Sequence, residues 1–173
     1  MITHQNITRW LTRLGLLLAL GLAGCAAGPR LVPHGFNFDG WYDGWAEEVD
    51  LLEYAYGDAY EPVRGKVRDG KRSAGGQSGV FGSMPVGEFL YVKWRIKATG
   101  EVLEDKVDLR DRLPRDMSDH ELTFLIDGRQ LYAYIVTPRD QAREVRQRTH
   151  KTWLSRYNVV YEIYPENEIK GER

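Results

Sequence analysis

From Phe89 to Ala98 the chain alternates almost residue by residue: Leu90, Val92, Trp94 and Ile96 are apolar, with Tyr91, Lys93, Arg95 and Lys97 between them. A period of two puts the two sets on opposite faces of an extended backbone, which predicts a β-strand with one wet side. Thr99-Gly100 predicts a turn into a partner over Glu101 to Leu109, where Leu103, Val107 and Leu109 share a face. Leu122, Phe124 and Ile126 open a second hairpin, Asp127-Gly128 marks its turn, and Gln130 to Thr137 returns. Val49 to Tyr56 and Tyr157 to Tyr164 are further β-rich runs, and Phe36 to Phe38 and Val63 to Arg68 are weaker ones. Seven or so short strands in about 130 residues predict a mainly β domain, an antiparallel β-sandwich or a curled sheet.

Two stretches depart from this pattern. In residues 139–154, Ala142, Val145, Thr149 and Trp153 fall at helical spacing opposite Arg139, Arg143, Arg146 and His150, so a short amphipathic helix and an irregular basic loop are both open. The fold then holds at most one short helix. Gly70 to Gly87 is rich in glycine and serine and reads as a flexible, exposed connection.

The N-terminus has a different logic. Arg9 and Arg13 precede an apolar run, Leu14 to Leu22, with no acidic residue before Asp39. That run is shorter than the about 20 apolar residues that span a bilayer, as expected of a signal peptide. It ends in Leu22-Ala23-Gly24-Cys25, which resembles the lipobox of bacterial lipoprotein precursors, in which the cysteine thiol receives a diacylglycerol before cleavage. The expected organisation is a lipoprotein signal peptide over 1–24, a tether over 25–33 lipidated at Cys25, and one β-rich domain over 34–173. Two or three acyl chains suffice for stable anchoring where one does not. Ala26 stands where an aspartate would signal inner-membrane retention, so the expected location is the outer membrane, facing the periplasm. Eight tether residues, Ala26 to Pro33, reach at most about 28 Å.

Without Arg9 and Arg13 the mature chain carries 22 basic and 25 acidic residues, net −3, which argues against a nucleic-acid binder. Cys25 is the only cysteine, so lipidation leaves no disulfide, thiol catalyst or cysteine metal site. No cofactor or metal site is expected. Gly65-Lys66-Val67-Arg68-Asp69-Gly70-Lys71-Arg72 approaches a phosphate-binding loop but lacks its Ser or Thr, and reads as a basic loop or hairpin. Gly76-Gln77-Ser78-Gly79-Val80 approaches a nucleophile elbow but ends in Val80 and lacks the α/β scaffold. His34, His120 and His150 are far apart and read as surface or turn residues. No motif assembles into an enzyme, although a hydrolase with unfamiliar residues stays open.

Charge is more telling. Leu31 to Val63 contains no Lys or Arg, yet holds eight acids, among them Asp39, Asp43, Glu47 and Glu48, and eight aromatics, among them Trp41 and Trp45. Asp39-Gly40-Trp41 repeats as Asp43-Gly44-Trp45. One reading is a turn-rich edge whose aromatics feed the core. The other is a partner-binding surface of Asp39, Trp41, Asp43, Trp45, Glu47 and Glu48, since interface hot spots favour Trp and Tyr and one-signed fields speed encounter. The sign then inverts, with Arg64, Lys66, Arg68, Lys71 and Arg72 against Asp69 alone.

The lipobox, Gly35-Phe36-Asn37-Phe38, the glycine-rich loop, the run from Pro85 to Trp94, Phe124 to Tyr132 and Tyr161-Glu162-Ile163-Tyr164-Pro165 together resemble a group of poorly characterised proteobacterial lipoproteins. Members often accompany type VI secretion phospholipase effectors and are regarded as their periplasmic immunity proteins. The resemblance implies a β fold, no catalytic residue, and a secreted lipase effector as partner, neutralised by stoichiometric binding. A structural or assembly lipoprotein of the envelope is the alternative.

Overall fold

The computed structural model describes residues 28–138, 158–166 and 169; the expected signal peptide, Cys25 and the 139–154 stretch lie outside them. Among the described residues nine strands follow in order: β1 (Leu31–Asp39), β2 (Val49–Tyr56), β3 (Arg64–Lys66), β4 (Gln77–Pro85), β5 (Phe89–Ile96), β6 (Val102–Asp108), β7 (Glu121–Asp127), β8 (Gln130–Pro138) and β9 (Asn158–Tyr164). They make a five-stranded sheet, β4-β1-β7-β8-β9, and a four-stranded sheet, β3-β2-β5-β6. The mainly β, two-sheet reading therefore holds. All pairings are antiparallel except β1 with β7, which run parallel over Gly35 to Asn37.

The elements form where alternation is cleanest. In β5, Leu90, Val92 and Trp94 are buried while the residues between them are only partly covered. Gly100 turns β5 into β6 at a φ of 73°, and the pair runs from Phe89↔Asp108 to Arg95↔Val102. The β7–β8 turn sits one residue later than its sequence signal. Asp127 still pairs with Gln130, so Gly128-Arg129 is the two-residue loop, with Gly128 first at a φ of 56°.

Two expectations are corrected. The glycine-rich stretch is no free connection, because its second half is β4, paired with β1 along nine residues from Leu31↔Pro85 to Asp39↔Gln77. Backbone groups of β1 that face away from β7 need partners, and small residues can supply them without an apolar pattern of their own. His34 is not a surface residue either. It is buried, its Nδ1 donating to the Val32 carbonyl at 2.8 Å and its Nε2 accepting from the Tyr56 hydroxyl at 3.1 Å.

The two sheets meet over aromatic rings. Phe36 of β1 stacks on Tyr56 and Tyr54 of β2 with centroids 5.4 and 6.1 Å apart, and Phe38 meets Tyr54 edge-on at 4.9 Å. Phe124 of β7 closes the group, 4.7 Å from Phe38. Leu51, Leu90, Val92, Trp94, Leu122, Leu131 and Ile135 extend the same core.

Two groups on or beside β1 make stability depend on pH in opposite senses. Burial lowers the His34 pKa from its ordinary 6.5, so the unfolded chain takes up the proton first and stability is lost as pH falls through the mid-6 range. Burial pushes the Glu121 carboxyl up to about 7 against the opposing hydrogen bond from Asn37. The folded state therefore holds that proton where the unfolded state has released it, and stability is gained as pH falls from about 7 towards 4.5. His34→Gln is thus expected to make thermal stability rise on acidification across pH 7 to 5. Glu121→Gln is expected to make it fall more steeply than in the parent. Melting curves on both variants at four pH values would check the two slopes, and slopes of the same sign would refute the assignment.

Candidate functional site

Beyond β1 the chain folds into a tight turn organised by Asp39. Its Oδ1 accepts the N–H groups of Trp41 and Tyr42 at 3.2 and 3.0 Å, and its carbonyl accepts the Asp43 N–H at 3.0 Å. Gly44, at a φ of 82° that side-chain-bearing residues rarely adopt, then reverses the chain into a 3-10 turn, Trp45–Glu47. Lys97, just past the end of β5, fastens that turn to the four-stranded sheet: its Nζ donates to the carbonyls of Ala46 at 2.7 Å and Glu47 at 3.2 Å.

This geometry separates the two copies of Asp-Gly-Trp. Trp45 is 4% exposed and packs 6.1 Å from both Phe38 and Phe124, seated on Gly40, where a Cβ would come within 2.7 Å of the indole. Trp41 is 64% exposed and lies over Gly76. Asp43 is 5% exposed, Asp39 is half-buried, and Glu47 and Glu48 are exposed. Of the residues the sequence suggests for a partner surface, Trp45 and Asp43 are thus withdrawn into the fold, because the chain reversal at Gly44 turns the second copy inward. Trp41, Glu47 and Glu48 remain outside, and Asp39 shapes their turn.

Gly76, beneath Trp41, leads directly into β4, and the Gly40 N–H donates to the Gly76 carbonyl at 2.7 Å. The parity of that bond decides which groups of β4 are free. Even-numbered residues of β1 bond towards β4, whereas Gly35 donates to His120 at 2.8 Å and Pro33 accepts from Asp119 at 2.9 Å on the β7 side. Antiparallel pairing then directs the N–H and C=O groups of Gln77, Gly79, Phe81 and Ser83 away from the sheet. All four residues are exposed, and among the described residues β4 is an edge strand.

The other sheet edges carry protection that β4 lacks. β3 is three residues long and bears Arg64 and Lys66. β6 bears Glu104, Asp105, Lys106 and Asp108. β9 carries Glu162 and a register shift against β8. From Ser73 to Gly87 there is no charged residue at all. Short length, charge and bulges are the usual means of preventing a strand from pairing with another chain. Phe81 adds an apolar contact point: it is 67% exposed and its ring lies across Gly35, where a Cβ would come within 2.6 Å. Sequence reasoning missed Phe81 and this edge; the signal was the uncharged run itself, read as a linker.

Ser78 lies within β4 opposite Phe38, so the elbow-like motif is a piece of strand. Among the described residues no group of three His, Asp, Glu or Cys is placed to hold a metal ion. Comparison with known proteins finds no match to the chain among protein-family models, curated proteins or solved structures.

The divided roles of the two tryptophans are measurable by melting. Trp45→Ala is expected to destabilise the domain by about 3–5 kcal/mol. Trp41→Ala should stay within about 0.5 kcal/mol of the parent, as for a surface substitution away from caps and core. Equal losses in denaturant titrations of the two variants would contradict the placement.

Proposed function

We propose that the protein is an exported lipoprotein, cleaved after Gly24 and lipidated at Cys25, that works as a binding protein at the periplasmic face of the outer membrane. It takes an extended segment of its partner onto β4, with Trp41 and Phe81 as aromatic anchors. The observation that carries this reading is the undefended β4 edge, whose outward N–H and C=O groups offer a second chain a ready-made ladder. The acids Glu47 and Glu48, exposed in the turn that follows Trp41, would draw a basic partner over long range.

The resemblance described above supplies the class of partner, a secreted phospholipase effector, and makes the protein its immunity protein. Tethering supports that role physically. A toxin that hydrolyses membrane phospholipids works at a membrane face, and an inhibitor held there by lipid acts at a raised local concentration. Inhibition then asks for tight binding and no chemistry. β1 begins at Leu31, inside the expected tether, so only the five residues Ala26 to Arg30 separate Cys25 from the start of β1, and with it from Pro85 at the end of β4, which would keep both near that membrane.

Lipidation is checked directly: labelled palmitate is expected to enter the parent chain and not Cys25→Ser, and an unlabelled parent would end the lipoprotein reading.

Edge pairing is checked by proline placement. The Gly79 N–H points away from β1, so Gly79→Pro removes no internal hydrogen bond, whereas Val80 sits opposite Phe36 and donates into the ladder. Gly79→Pro should therefore melt close to the parent, while Val80→Pro loses about 1–3 kcal/mol. In titrations against the effector, Gly79→Pro is expected to bind at least about tenfold more weakly, roughly 1.4 kcal/mol, and to fail to protect cells that express it. Full binding by Gly79→Pro would remove β4 from the interface. Protection by turnover of toxin or lipid, instead of by a stoichiometric complex, would contradict the immunity role.

A further inference from the structure

A cavity of about 610 Å³ opens beside β3, lined by Tyr54 of β2 and by the chain that leads from β3 towards β4. Four cations line it, Arg64, Lys66, Arg68 and Lys71, against one carboxylate, Glu61. Two of the four have local counter-ions: Arg64 lies 3.7 Å from Glu61, and Lys66 lies 3.2 Å from Glu53. Arg68 and Lys71 have no ion pair among the described residues.

These charges sit on a fixed frame. β2 shifts register between Leu51 and Glu53, and the two carbonyls at that irregularity hold both ends of the loop. The Val67 N–H donates to Leu52 at 2.7 Å, the Ala74 N–H to Leu51 at 2.6 Å, and the Ser73 hydroxyl to Leu51 at 3.1 Å. Between these ends Lys71 N–H closes a turn onto the Arg68 carbonyl at 3.0 Å, which brings the two unpaired cations to one rim. On the wall, Tyr54 rises beside Gly65, where a Cβ would fall 2.8 Å from the phenol oxygen, and that hydroxyl has no hydrogen bond among the described residues. A neutral donor and a set of cations, uncompensated by equal negative charge, converge on one space.

We propose that this cavity binds a phosphate-bearing anion. Guanidinium and ammonium groups around a neutral hydroxyl donor match the three acceptor oxygens of a phosphoryl group, and Arg68 can engage two of them at once. The volume exceeds what a bare phosphate fills and lies in the range of small-molecule sites, so the ligand is a phosphoester with an organic group of headgroup size. Such a group occurs free in solution and on the surface of a phospholipid bilayer. The proposal does not depend on the effector reading.

The test uses the purified full chain, titrated calorimetrically at low salt with sn-glycerol 3-phosphate and with inorganic pyrophosphate. Saturable single-site binding that weakens with rising salt is expected. The Arg68→Gln/Lys71→Gln double variant should lose affinity at least about tenfold, and Tyr54→Phe, which keeps the ring in place, about threefold with an unchanged melting temperature. Arg110→Gln, outside the cavity and paired with Asp108, should bind as the parent does. Co-sedimentation of the Cys25→Ser chain with phosphatidylcholine vesicles, with and without phosphatidylglycerol, separates the two sources. Retention on the anionic vesicles that glycerol 3-phosphate displaces assigns the site to a lipid headgroup. Soluble binding without vesicle retention assigns it to a free phosphoester. No saturable binding of either soluble anion, or undiminished binding by the double variant, overturns the proposal.

Discussion

β1 has hydrogen-bonding neighbours on both sides, and the parity of its residues governs the surrounding structure. Even-numbered backbone groups bond to β4 and odd-numbered ones to β7, while even-numbered side chains turn into the core and odd-numbered ones turn out. A slip of one residue would exchange every one of these assignments. It would expel Phe36 and Phe38 from the ring stack and bury Asn37. The same parity leaves Gly79 and Phe81 with their backbone groups facing solvent. The core and the open edge are two results of one register.

The ring cluster then fixes what the surface can present. Trp45 is locked between Phe38, Phe124 and Gly40, and Lys97 holds its turn by two carbonyls. Trp41 is four residues earlier in that constrained turn, and is therefore held out by neighbours that cannot move. An exposed aromatic on a rigid turn loses little conformational freedom when a partner covers it, which favours association over an equally exposed ring on a loose loop.

Much of the architecture was legible from alternation. β5 shows its buried face as every second residue, while β2, β7 and β8 show as apolar-rich runs buried along most of their length, and the observed bounds of all four fall within a residue or two of those runs. β4 was not legible, because Gln77 to Pro85 has no apolar period and becomes a strand through the demands of its neighbour. The parallel contact between β1 and β7 joins segments more than 80 residues apart, and neither carries a local mark of it. His34 looked polar and isolated; its burial depends on the nearby Val32 carbonyl and on Tyr56, a partner 22 residues away that only the fold brings within reach. At the candidate surface, the aromatic and acidic bias was visible, but the two identical tripeptides gave no hint that one tryptophan would anchor the fold and the other would leave it. The inversion of charge after Val63 was equally visible, whereas its enclosure depends on an irregularity in β2 that no local pattern announced.

The position of β1 also has a mechanical meaning. Were the chain tethered through residues that precede β1, the load would enter at Leu31, and a partner on β4 would pull on the strand bonded to it along its whole length. A load along the strands then acts parallel to the β1–β4 ladder and is shared by its hydrogen bonds together. A load that peeled the edge sideways would break them one at a time. The domain is accordingly stiffer along these strands than across them, and a chain paired with β4 would be held under tension without unzipping the sheet that holds it.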